Sequence, residues 1–89
     1  MSTYAVNKLC RLVVHEADFR EELRADPQRA TSEFQPPLSE EERSALLTGD
    51  VGRLSVMGAH DFQLYQLQRF EMFGITLNAY IESMKGAHR

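Results

Sequence analysis

Three histidines, His15, His60 and His88, are the only imidazoles in the sequence, and Cys10 is the only thiol. A mononuclear iron site of the facial type needs two histidines converging with one carboxylate. No spacing here brings two histidines together, so an intrinsic metal site is not expected. His15 falls on a polar helical face, and His88 sits beside the last residue of the chain. A Cys10–His15 nucleophilic pair fails on geometry, because five positions on one helix diverge by about 140°. Cys10 reads instead as a small buried hydrophobe. The run Glu40-Glu41-Glu42 lies at a helix start, where the helix dipole favours negative charge, so a solvated face with a capping duty is expected. Gly49, Gly52 and Gly58 interrupt helical turns with no strand ahead of them, which excludes a phosphate-cradling loop. Catalysis by this chain alone is not expected.

The densest group of special residues is Gly58-Ala59-His60-Asp61-Phe62-Gln63-Leu64-Tyr65-Gln66-Leu67. A glycine-closed corner there places His60, Asp61 and Phe62 at the beginning of a helix whose free amides point outward, ready for an anion or a ring. The plainer reading has Asp61 capping, His60 decorating the turn, and Phe62, Leu64, Tyr65 and Leu67 in the core. Pattern alone leaves both open. Tyr65, Phe70 and Phe73 likewise fit either an interface or the core.

Composition narrows the class of molecule. The 89 residues carry 10 Lys plus Arg against 13 Asp plus Glu, a net charge of −3. Without a basic block there is no broad phosphate-contacting surface, and nucleic-acid binding is not expected. One cysteine forms neither an internal disulfide nor a multi-thiolate zinc site. The longest aliphatic run, Leu12-Val13-Val14, falls far short of the roughly 20 apolar residues that span a bilayer. Met1-Ser2-Thr3-Tyr4 lacks the basic start and apolar stretch of a secretory signal, so a cytoplasmic protein without membrane attachment is expected. A chain this short has a thin core, which is expected to form one half of a larger buried surface.

Apolar residues recur at helical spacing between glycines and prolines, which predicts an all-α bundle of about six or seven short helices and no sheet. The first helix covers roughly residues 3 to 16, with Ala5, Val6, Leu9, Leu12 and Val13 on one face. Asp18 and Glu21 cap a second helix that turns Phe19 and Leu23 inward. Asp26-Pro27 opens a third, with Ala30 and Phe34 inward, stopped at the Pro36-Pro37 corner. Ser39 and Glu42 form a capping box for a helix that holds Ala45, Leu46 and Leu47, closed by Gly49. Asp50 restarts a short helix with Val51, Leu54 and Met57 inward, ended by Gly58. The longest C-terminal helix is predicted from about Asp61 to Met72 and closed by Gly74. Thr76 then caps a last helix holding Leu77, Tyr80, Ile81 and Met84. Residues 3–85 make one domain and 86–89 a polar tail.

The order of these motifs carries a resemblance. Asn7-Lys8-Leu9, Phe19 to Asp26-Pro27, Leu38-Ser39-Glu40-Glu41-Glu42-Arg43 to Ala45-Leu46-Leu47, Gly49-Asp50-Val51, Leu54, and Met57-Gly58-Ala59-His60-Asp61-Phe62 with Leu67 follow one another as they do in a known family. Over about residues 4 to 85 the chain resembles the small, or alpha, subunit of the LigAB-type extradiol ring-cleavage dioxygenases, of which protocatechuate 4,5-dioxygenase is the type member. The type member's small subunit is longer at both ends, and it differs at the positions of His60-Asp61.

The resemblance implies a non-catalytic subunit of a complex that opens the rings of catechol-type or aminophenol-type compounds in aromatic catabolism. It implies a separate catalytic large (beta) subunit that holds Fe(II), with no metal or other cofactor on this chain. The small subunit packs over the active-site mouth. Gly58, Ala59, His60, Asp61 and Phe62 correspond to the wall of the substrate pocket, with Phe62 facing the ring, and Met57 and Tyr65 to the partner interface. The alternative is a stand-alone helical binding or recognition module without a dioxygenase partner. Phe19 to Phe34 is faintly similar to the leader domains of peptide natural-product precursors, but Lys85-Gly86-Ala87-His88-Arg89 supplies no core peptide.

Overall fold

The computed structural model describes residues 4–87, and within them the chain forms seven α-helices and no strand. In order these are α1 (Tyr4–His15), α2 (Ala17–Ala25), α3 (Pro27–Ser32), α4 (Glu40–Thr48), α5 (Val51–Val56), α6 (Asp61–Arg69) and α7 (Leu77–Ala87), with a single 3-10 turn at Met72–Gly74 between the last two. His88 and Arg89 of the polar tail lie outside the described residues.

Local chemistry sets most boundaries. Asp26 Oδ1 accepts the Arg29 N–H, with Pro27 at the first position of α3. Ser39 Oγ accepts the Glu42 N–H while Glu42 Oε1 accepts the Ser39 N–H, a complete capping box for α4. Gly49 closes α4 at φ 73°, which only glycine adopts without strain, and Asp50 at once caps α5 through the Arg53 N–H. Thr76 Oγ1 accepts the Ala79 N–H at the head of α7.

Two predicted boundaries are corrected. Helix α2 begins at Ala17 with Glu16 at the cap position and no side-chain cap, so Asp18 lies inside the first turn rather than capping it. Helix α6 ends at Arg69, not Met72, and is shorter than both α1 and α7. Its stop is tertiary. Arg24 of α2 donates to the Phe70 carbonyl oxygen at 2.8 Å, Arg20 and Arg69 stack on the Phe70 ring at 4.4 and 5.4 Å, and Glu71 and Phe73 turn left-handed at φ 51° and 56°. Arg20 also donates to the Val13 carbonyl near the end of α1, so two arginines of α2 tie together the ends of α1 and α6.

The core runs through Val6, Leu9, Cys10 and Val13 of α1, Leu23 of α2, Ala45 and Leu46 of α4, Val51 and Leu54 of α5, Leu64 and Leu67 of α6, and Met72 and Ile75. Phe19 and Phe34 meet on its flank, ring centroids 5.6 Å apart. Over residues 77–86, helix α7 has no fully buried residue. It closes against α5 at Gly52, where the backbone N–H donates to Ser83 Oγ at 2.8 Å and a Cβ would meet the Ser83 carbonyl oxygen at 2.3 Å. Among the described residues, no helix is long and apolar enough to cross a membrane.

Candidate functional site

The stretch Gly58–Phe62 forms the corner between α5 and α6. Gly58 turns it at φ 110°, a conformation L side chains avoid. Ala59 is buried in the core, and its N–H donates to the Leu54 carbonyl, which anchors the corner from beneath. His60 stands at the cap position of α6 without a side-chain cap, and its backbone N–H donates to Asn7 Oδ1 of α1 at 3.1 Å. The Ser55 hydroxyl donates to Asp61 Oδ1 at 2.7 Å. The corner is therefore pinned from α1, from α5 and from below.

This geometry corrects the plainer reading of the stretch. Asp61 is the first helical residue and does not cap, because its carboxylate is taken by Ser55. Leu64 and Leu67 are core, but Phe62 is 73% exposed and Tyr65 is 43% exposed. On one helix the two pairs fall on opposed stripes, and the core takes the leucines. Met57 is half-buried against the core. Tyr65 meets Tyr80 of α7 edge-on at 5.7 Å. Phe70 and Phe73 also pack against the core.

Sequence reasoning missed three residues that shape the corner. Asn7 and Ser55 supply the pinning bonds, and Tyr80 places its hydroxyl 3.5 Å from the Asp61 carbonyl oxygen. Partial burial, then the nearby charge of Asp61, then Tyr65, push the Tyr80 phenol upward. It therefore stays protonated and able to donate. Asn7 belongs to a motif already visible in α1, but nothing in the sequence paired it with residue 60.

Elsewhere the chemistry is sparse. Cys10 is buried, and burial pushes its thiol up to about 12, which leaves it inert. His15 is exposed. No three His, Cys, Asp or Glu side chains among the described residues gather in a way that could hold a metal ion. A groove of about 340 Å³ on α2 and α3, lined by Glu22, Asp26, Arg29 and Glu33, offers no aromatic wall and is built from other elements than the corner.

Fold and site thus define a small helical domain that presents an aromatic side chain, Phe62, on a pinned corner. The model of the LigA subunit of the aromatic-ring-opening dioxygenase LigAB matches residues 6–88, and the chain belongs to that family. The family supplies one subunit of a ring-opening dioxygenase, which implies a larger partner subunit. Comparisons with curated proteins and with solved structures gave no match.

Proposed function

We propose that this chain is the non-catalytic small subunit that caps the active site of a separate Fe(II) extradiol dioxygenase large subunit acting on a catechol-type or aminophenol-type substrate. The observation that supports this most is Phe62. A phenyl ring 73% exposed on a corner held by three separate contacts gains nothing for the isolated domain. In this reading the iron belongs to the partner subunit. Bound there, Fe(II) would supply the dioxygen chemistry of ring opening.

This chain's residues do the remaining work. Phe62 meets the substrate ring edge-on or offset and covers it from water, worth about 0.5–1.5 kcal/mol beyond area burial. The exposed His60 ring, next along the corner, offers a hydrogen bond to a substrate hydroxyl or carboxylate. Gly58 and Ala59 set the corner's path, and Asp61, held by Ser55, fixes the first turn from which Phe62 projects. Met57 and Tyr65 flank this wall at the partner interface.

The test is reconstitution with the large subunit. The small subunit alone should cleave no catechol and should raise the activity of the large subunit on mixing. Phe62→Ala should leave the domain's Tm unchanged and the complex intact, while lowering kcat/KM by at least about 2-fold, and by more as the ring area it buries on the substrate is lost. A clear drop in Tm with unaltered kcat/KM would return Phe62 to a structural role and overturn the proposal.

A further inference from the structure

Helix α7 carries more apolar surface than the fold uses. Viewed down its axis, Ser83 points to α5, Tyr80 lies about 60° further round, Leu77 about 120° and Ile81 about 160°. The contacts follow the first part of that sequence only. Ser83 meets Gly52, and Tyr80 meets Tyr65 of α6. Leu77 and Ile81, beyond the α6 contact, stay 50% and 40% exposed. On α6 the stripe one turn apart, Phe62 and Tyr65, is also left outward. The Tyr65–Tyr80 ring contact joins the two stripes into one face. Its nearest charges on α7, Glu82 and Lys85, pair with each other at 3.9 Å.

The size of this face argues about its occupant. At roughly 200 Å² for a large apolar side chain, the exposed fractions of Phe62, Tyr65, Leu77 and Ile81 leave on the order of 400 Å². Two copies meeting there would hide on the order of 800 Å² of apolar side chain, and since only about 56–65% of an interface is apolar, area alone admits a second copy as well as a larger chain. The family match favours the larger chain, because it implies a larger partner subunit, and four of the six large apolar side chains exposed among the described residues lie on this face to receive it.

We propose that the α6–α7 face is the surface on which the larger dioxygenase subunit docks, with Leu77 and Ile81 as its anchors. This rests on the small-subunit reading and separates two duties within it: Phe62 serves the substrate, and α7 holds the partner. Co-expression of the full chain with the large subunit of a LigAB-type dioxygenase from the same genome provides the assay. Hydrogen exchange should slow in residues 77–81 on complex formation. Leu77→Asp and Ile81→Asp, at positions already half open to water, should weaken the complex at least tenfold with an unchanged Tm of the free chain. Ala17→Asp on α2 should bind as wild type. If either α7 variant lowers the Tm, Leu77→Asn and Ile81→Asn take its place with the same expectation. Wild-type affinity in the α7 variants, with the complex otherwise formed and active, overturns this surface and leaves the small-subunit reading standing. No complex at all for the wild-type chain overturns both. A free-chain dimer that the α7 variants dissolve makes a second copy the occupant and also overturns the proposal.

Discussion

Replacing Gly52 with alanine tests how α7 is held. The added Cβ would stand 2.3 Å from the Ser83 carbonyl oxygen and 2.9 Å from its Oγ. The nearest atom is backbone, so no rotamer change relieves the clash and the two helices must part. Separation of this kind costs about 1–3 kcal/mol, and loss of the Gly52 N–H to Ser83 Oγ bond about 1 more. Against this, alanine gains up to about 1 kcal/mol over glycine in a helix. The net is a destabilisation of about 1–3 kcal/mol, a Tm lower by at least about 5 °C in a domain of this size. Gly86→Ala is the internal control. A Cβ there meets nothing within 4 Å, so only the propensity gain remains and the Tm should stay level or rise. The double variant Gly52→Ala, Ser83→Ala should remain destabilised, because the carbonyl oxygen is still in place. Thermal and urea melts read all three. A wild-type Tm for Gly52→Ala, or full rescue by Ser83→Ala, would refute the backbone-contact reasoning.

Ser39→Ala removes half of the α4 capping box and leaves the buried Glu42 with one partner fewer; urea melts should show a loss of about 1 kcal/mol. Asn7→Ala frees the His60 N–H, so amide exchange at residue 60 should quicken several-fold, as expected for one lost hydrogen bond, and unchanged protection would show that Asn7 does not pin the corner. The Cys10 thiol, buried in the fold and held protonated up to about 12, ionises near 9.0 once unfolded. Below pH 9 both states keep the proton; above it the unfolded state releases it first, so the folded state loses stability as pH rises. The stability gap between wild type and Cys10→Ala should therefore narrow by about 1.4 kcal/mol between pH 8 and pH 10 in parallel urea melts.

What could be read from the sequence was what neighbours in the chain decide. The Ser39–Glu42 box, the Asp26-Pro27 start, the left-handed Gly49 and the Asp50 and Thr76 caps each close within three or four residues, and each stands where the residue types put it. Helix α6 failed the same reasoning because its end is made elsewhere. Arg24 reaches the Phe70 carbonyl across 46 positions, and no local pattern carries that partner. The corner divides in the same way. Its place follows from Gly58 and a helix start at Asp61, whereas the Asn7 bond to His60 spans 53 positions. The exposure of Phe62 was undecidable from periodicity, since Phe62 with Tyr65 and Leu64 with Leu67 both make helical stripes and only packing chooses between them.

That choice bears on what the partner contributes. A small core suggested half of a larger one, but the folded chain exposes 5345 Å², against about 5,300 Å² for a closed monomer of its mass. The domain completes its own interior without help. The described residues leave no buried side-chain nitrogen or oxygen without a hydrogen bond, so no polar debt inside the fold waits for a partner either. Phe62, Tyr65, Leu77 and Ile81 are therefore not a core left unfinished. They are apolar side chains added to a finished domain, two on a pinned helix start and two on the helix that Gly52 holds in place. Stability of the free chain and assembly with a partner should then respond to different residues, which is the separation that the Gly52 and α7 variants measure.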